Sequence, residues 1–427
     1  MPGHPHRGAT VPALPENVLD ATRATGPWEA PWIWILAAGV TALLIAGVWW
    51  LRRRRIARWS CLAAALVCAV FAVAAGVNSY VGYVRTTHDL ARLLDRGGPA
   101  TSWLAGWLGD DQQQDPEQRE AAARLPTSAT PSGNGDSVLQ RISIADPSLH
   151  IPSGTTNVLL PPGYFDRRNA ARRYPVVYLI HGYPYGGPDD WFTAGDAMNT
   201  ARLLDRQRLV QPMILVGVDM TAGSPSTDWE CLNVPHGPQL ESYLTGTVPR
   251  RIDAAYRTIP NRAGRALGGM SGGGFCALNA GLHHTEEYST MLITLPYDDL
   301  GDSAALLGGN RALVRANTPR AYLPGMRFPH PMAALIDVGT GAPTDVTTGN
   351  RIVHALQADG QNAVLHKEYG FNHTWHTARA ALPYLLAYVS QQFRAPPTQA
   401  RTRPLPVPLL AGSAPVHREP HRNHRAI

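Results

Sequence analysis

The chain has 427 residues, 16% charged and 44% apolar, which is enough for one large or two ordinary domains with appendages and implies that part of it avoids water. Its formal charge of +6 comes almost entirely from arginines in a few local runs; no nucleic-acid motif accompanies them, which argues against nucleic acid as a partner. Four cysteines without C-x-x-C or Cys/His zinc spacing argue against a structural metal, and no cofactor motif is present.

Residues 1–30 are rich in Pro, Gly and Ala and read as a disordered lead. The first apolar run starts too late for a signal peptide and has no small-residue cleavage site behind it. Residues 32–51 are continuously apolar and long enough to span a bilayer, with Trp28, Trp32 and Trp34 at one end and Trp49 and Trp50 at the other. Arg52, Arg53, Arg54, Arg55 and Arg58 follow, then a second apolar run over 59–77. This predicts a transmembrane helical hairpin over 31–79. Positive charge is retained in the cytoplasm, so the loop should face inward and the rest of the chain outward, at a plasma membrane. Residues 80–137 read as a juxtamembrane segment, partly helical along the membrane surface, followed by a polar linker.

From 138 to 394 short apolar runs alternate with amphipathic segments. Strands are expected at 140–144, 156–160, 175–180, 212–218, 265–269, 289–295, 333–338 and 363–369. Helices are expected at 194–206, 239–256, 273–283, 303–316, 345–358 and 374–393. The pattern predicts a mostly parallel α/β sheet with helices on both faces. Residues 395–427, basic and Pro-rich, read as a disordered tail.

The segment Gly269-Met270-Ser271-Gly272-Gly273 is a G-x-S-x-G, the pattern of a sharp strand-to-helix turn that exposes a serine hydroxyl. Alone, in a chain with 40 glycines, it is weak; a base, an acid and an oxyanion loop must accompany it. The strand at 175–180 runs into His181-Gly182-Tyr183 and a glycine-rich loop. The backbone amides of Tyr183 and Gly272 are therefore the expected oxyanion donors. His181 reads as structural. Among the late histidines, His366 falls in a strand and His354 in a helix. His373 lies in a turn before a helix, where a base belongs, and His376 is the fallback. The acid should follow the strand at 333–338: Asp345, beyond the loop, is preferred over Asp337, inside the strand. The order Ser271, Asp345, His373 is that of α/β hydrolases. Cys231 and Cys276 form a disulfide or stay as two buried thiols; Cys61 and Cys68 lie in the second apolar run.

Four linked blocks then resemble the esterase D and mycolyltransferase branch of the α/β-hydrolase superfamily, which also includes feruloyl and enterochelin esterases. They are Val158-Leu-Leu-Pro-Pro-Gly-Tyr164, Tyr174-Pro-Val-Val-Tyr-Leu-Ile-His-Gly182, the segment from Gly268 to Leu278, and Gly370-Phe-Asn-His-Thr-Trp375. The resemblance implies Ser271 as nucleophile, His373 as base and, from Gly339-Thr-Gly-Ala-Pro-Thr-Asp345, Asp345 as acid. Gly272 stands where the family often has Met. The implied activity is that of a serine esterase or acyltransferase on an acyl ester, with cell-envelope lipids as one substrate class. A general carboxylesterase, or a non-catalytic membrane binding protein of the same fold, are the alternatives. Oligomeric state is not legible.

Overall fold

The computed structural model describes residues 10–87, 89–90 and 137–394; most of the expected polar linker and the whole C-terminal tail lie outside them. The chain opens with α1 (Glu16–Arg23), then α2 (Pro31–Trp50) and α3 (Arg55–Val81), which pack against each other as an antiparallel pair. Both long helices are apolar and exposed, with 20 and 27 residues, long enough to cross a membrane. Small residues let them close up: a Cβ on Gly76 would touch the Trp34 ring at 3.7 Å, and one on Gly47 would touch Cys61 Sγ at 3.7 Å.

Eight strands follow: β1 (Val138–Asp146), β2 (Ile151–Leu160), β3 (Val176–Ile180), β4 (Ile214–Val218), β5 (Arg265–Met270), β6 (Thr290–Thr294), β7 (Ala333–Gly339) and β8 (Asn362–Glu368). They form one sheet in the order β1-β2-β4-β3-β5-β6-β7-β8. The β1–β2 and β2–β4 pairs are antiparallel and the remainder parallel. The longer helices between strands are α4 (Ala197–Arg206), α5 (Val248–Ala255), α6 (Gly272–His283), α7 (Arg311–Ala316) and α8 (Pro343–Ala358), and α9 (Trp375–Arg394) follows β8. The expected helix over 239–256 is broken by a π segment, Tyr243–Thr247. That over 303–316 is a 3-10 turn, Gly301–Leu307, followed by α7.

Every residue of β3, β4 and β5 is buried, because helices cover both faces. Side chains alternate: Val176, Tyr178 and Ile180 enter one core, and Val177 and Leu179 enter the other, beneath α9. β3 lies between β4 and β5, so the winding reverses there. In open α/β sheets the crevice at the carboxyl ends of such neighbouring strands is where ligands bind.

The N-terminal segment departs from the expected disordered lead. Residues 16–23 form α1, and Val18 is fully buried in the core beneath α9. Past α3, Tyr83 and Arg85 bond to the sheet domain. Apolar and charged side chains of these short stretches gain partners that only the folded sheet domain supplies.

Candidate active site

β5 ends at Met270, and Ser271 turns the chain into α6 with φ 54° and ψ −120°. A non-glycine residue at positive φ is strained and persists only where its surroundings fix it. Here Ser271 N–H donates to Thr294 O at 3.1 Å, and Ser271 O accepts from Phe275 N–H at 2.9 Å. The flanking glycines are required by close approach. A Cβ on Gly269 would lie 2.1 Å from Gly273 O, and one on Gly273 would lie 2.3 Å from Ile180 O.

The histidine expected to act as base lies in the turn between β8 and α9. His373 Nε2 lies 2.9 Å from Ser271 Oγ, and His373 Nδ1 lies 2.7 Å from Asp345 Oδ2. A carboxylate can only accept, so Nδ1 carries the proton and Nε2 is left to accept from the serine hydroxyl. Asp345 sits in the first turn of α8, 7% exposed, where the helix N-terminus favours negative charge. The loops that carry Asp345 and His373 are pressed together. Gly341 N–H donates to Phe371 O at 2.7 Å, and a Cβ on Gly339 would lie 2.3 Å from that same oxygen. The three side chains expected from sequence to act together thus form one hydrogen-bonded chain.

The other candidates lie apart from it. Asp337 pairs with Thr294 Oγ1 at 3.0 Å and His366 Nδ1 at 2.6 Å, its partner across β7 and β8. Burial raises the Asp337 carboxyl above its ordinary pKa. Asp337, His366 and Glu368 each offer a metal-ligating atom within 4.8 Å of the others. Arg23 already meets Glu368 at 2.9 Å, so a guanidinium supplies the positive charge this cluster calls for. His376, inside α9, bonds to Arg379 and to Ser79 O. His181 takes Met220 N–H at 3.1 Å on Nε2 and meets Gly182 O at 2.9 Å through Nδ1, holding the loop after β3.

That loop brings Tyr183 beside the Ser271 turn: a Cβ on Gly272 would stand 3.6 Å from Tyr183 N. Gly272 opens α6, so its amide has no acceptor within the helix. The two backbone amides expected from sequence are therefore neighbours at one end of a pocket. The pocket is also lined by Thr221, Trp229 and Glu230.

Sequence reasoning missed Glu230. It is 5% exposed, and its Oε1 accepts from Tyr297 Oη–H. Burial, reinforced by the nearby Asp228 carboxylate, pushes its pKa well above the usual carboxylate range. The only signal was its place next to Cys231, which forms a disulfide with Cys276 in α6, Cα atoms 5.4 Å apart. The disulfide ties the loop before α5 to the helix that follows Ser271. It resolves the choice that sequence left open, while Cys61 and Cys68 stay as free thiols.

Residues 153–317 match the family described as "Putative esterase". This stretch contains Ser271 but ends before Asp345 and His373. A 133-residue stretch is 34% identical to an uncharacterised protein of Corynebacterium glutamicum, spanning 31% of this chain and 30% of that protein. A 125-residue stretch is 35% identical to an esterase of Mycobacterium tuberculosis, spanning 29% of this chain and 24% of that protein. The matched stretches thus span less than a third of these relatives' own lengths. Among solved structures, a ferulic acid esterase superposes with a TM-score of 0.52 at 21% identity, covering 61% of this chain and 100% of that one. The fold is that of the α/β hydrolases, as the order of Ser271, Asp345 and His373 and the linked sequence blocks implied.

Proposed function

We propose that this chain, whose α/β-hydrolase domain belongs to the esterase branch of that superfamily, is a membrane-anchored serine esterase or acyltransferase working outside the cytoplasm. The observation that carries the reading is the continuous path from Ser271 Oγ through His373 to Asp345, with contacts of 2.9 and 2.7 Å. Neutral His373 takes the proton as Ser271 attacks an ester carbonyl. Asp345 holds the imidazole tautomer and stabilises the imidazolium. The amides of Tyr183 and Gly272 receive the oxyanion. The acyl-enzyme then passes its acyl group to water or to an alcohol.

Two observations support the location. Five arginines cluster in and just after the loop between α2 and α3, the pattern of a cytoplasmic loop. The Cys231–Cys276 disulfide fits an oxidising compartment. Envelope lipids are a substrate class consistent with that location and with the mycolyltransferase-like loop before Asp345.

The experiment is release of a chromogenic leaving group from short- and long-chain esters by the purified full-length protein, with and without a sugar or glycerolipid acceptor, beside Ser271→Ala. Turnover in the wild type only is expected. Transfer to the acceptor would favour the acyltransferase form. No turnover with any chain length would contradict the enzyme reading.

A further inference from the structure

The described contacts hold the sheet domain against one end of the hairpin. At that end, Asn78 Nδ2–H donates to Trp28 O at 3.0 Å and Ser79 Oγ–H to Glu29 O at 2.7 Å, joining the start of α2 to the end of α3. From this junction a set of bonds reaches the sheet domain. Arg379 of α9 grips both carboxylate oxygens of Glu29 at 3.0 and 3.1 Å. His376 Nε2–H donates to Ser79 O at 3.2 Å. Tyr83 Oη–H donates to Asp190 Oδ1 at 2.7 Å, and Arg85 pairs with Asp196 at 2.6 Å. The Tyr83 ring stands edge-on to Trp375, with centroids 6.3 Å apart.

Every partner on the sheet domain comes from the start of α9 or the segment after β3. Both lie at the carboxyl edge of the sheet, the edge that carries Ser271, His373 and Tyr183. His376 is three residues past His373, in the first turn of α9. Three tyrosines at this edge stay open to solvent: Tyr183 is 43% exposed, Tyr185 52% and Tyr369 79%. Rings with an apolar body and a polar tip suit the headgroup layer of a bilayer.

We propose that residues 26–30 and 78–85 form a rigid collar that holds the mouth of the Ser271 site at the bilayer surface, so that its substrate class is an ester resident in that membrane. This rests on the esterase reading above and adds to it the source of the substrate. An anchor of any length would keep the enzyme on the membrane. The collar fixes which edge faces it, and it converts diffusion of substrate from three dimensions to two.

The test uses the full-length protein in phosphatidylcholine–phosphatidylglycerol vesicles with two substrates: water-soluble nitrophenyl butyrate, and a fluorogenic long-chain acylglycerol dispersed in the same bilayer. Arg85→Glu and Asp196→Arg, each breaking one collar bond, should lower turnover of the bilayer ester at least tenfold relative to the soluble one. The exchanged pair Arg85→Asp with Asp196→Arg should recover it. An unchanged ratio in both single variants overturns the proposal. A second measurement does not depend on activity: a fluorophore on Tyr369→Cys, with Cys61 and Cys68 replaced by Ala, should be quenched by headgroup-labelled nitroxide lipids and released by Arg85→Glu. Absence of quenching overturns the placement even if the soluble ester is cleaved. Quenching without cleavage of either ester would uphold the placement and sink the esterase reading.

Discussion

Glu29 and Arg379 stand 350 positions apart and meet as a two-pronged ion pair, their side chains 0% and 1% exposed. One precedes the first long apolar helix; the other belongs to the helix that follows His373. The pair joins the hairpin to the sheet domain at a point from which water is excluded. Burying two charges is costly, and removing one partner leaves the other uncompensated. Arg379→Met should therefore lower the stability of the full-length protein by about 3–5 kcal/mol. Glu29→Gln combined with Arg379→Met should be less damaging than Arg379→Met alone. Thermal unfolding in detergent checks this; a double variant worse than the single would contradict it.

The Cys231–Cys276 bridge closes a segment with a sequence separation of 45. Its removal releases loop-closure entropy to the unfolded chain, and Cys231→Ser with Cys276→Ser should cost about 4 kcal/mol. The same change frees the loop that carries Glu230. Its KM for an ester should rise more than its kcat falls, because the loop lines the pocket and contributes none of the three side chains Ser271, His373 and Asp345. Denaturant titration and steady-state kinetics separate the two effects.

Glu241 lies between His283 Nδ1 at 2.8 Å and His284 Nε2 at 2.9 Å. Burial alone would raise its pKa, but the bonds to both histidines override this and hold it at about 2, from an ordinary 4.5. The bond to Glu241 in turn raises His284 above 6.5. The carboxylate's depressed pKa gives stability that is complete above pH 4.5 and is lost as pH falls toward 2. The histidine's raised pKa gives stability that is complete below pH 6.5 and is lost as pH rises through its folded value. The contribution is therefore largest between about pH 4.5 and 6.5. The stability difference between wild type and Glu241→Gln, measured by urea unfolding, should shrink as pH rises from 6 to 9. A difference that grows over that range would contradict the assignment.

His373→Ala should lower turnover of a soluble ester by about a thousandfold or more. His376→Ala should leave it within a few-fold, since His376 bonds to Arg379 and Ser79 and not to Ser271. Steady-state rates on the same ester decide between them; the reverse pattern would make His376 the base.

How far the sequence could be read followed the range of the forces involved. The strands around the site were legible because β3, β4 and β5 are apolar on both faces and bounded by turn residues. The placement of Ser271 and His373 in turns was legible because backbone turns demand local signals: glycines around one, Gly370-Phe-Asn before the other. The choice of Asp345 over Asp337 rested on loop position, and the register of β7 on β8 supplies the physical reason. It sets Asp337 opposite His366, which takes its carboxylate. The collar was not legible. Residues 16–30 show no apolar period long enough to announce a packed element, and Glu29 has its partner 350 positions away. Glu230 was hidden for a related reason: Cys276, bonded to its neighbour Cys231, and Tyr297, bonded to Glu230 itself, both lie far along the chain.

The central claim is that Ser271 is the activated nucleophile. Brief exposure of the native full-length protein to an active-site-directed fluorophosphonate, followed by intact-mass measurement and peptide mapping, tests it most directly. The account predicts a single adduct on Ser271, lost in Ser271→Ala and slowed by orders of magnitude in His373→Ala. No adduct on the folded wild type, or an adduct on another residue that survives Ser271→Ala, would contradict it.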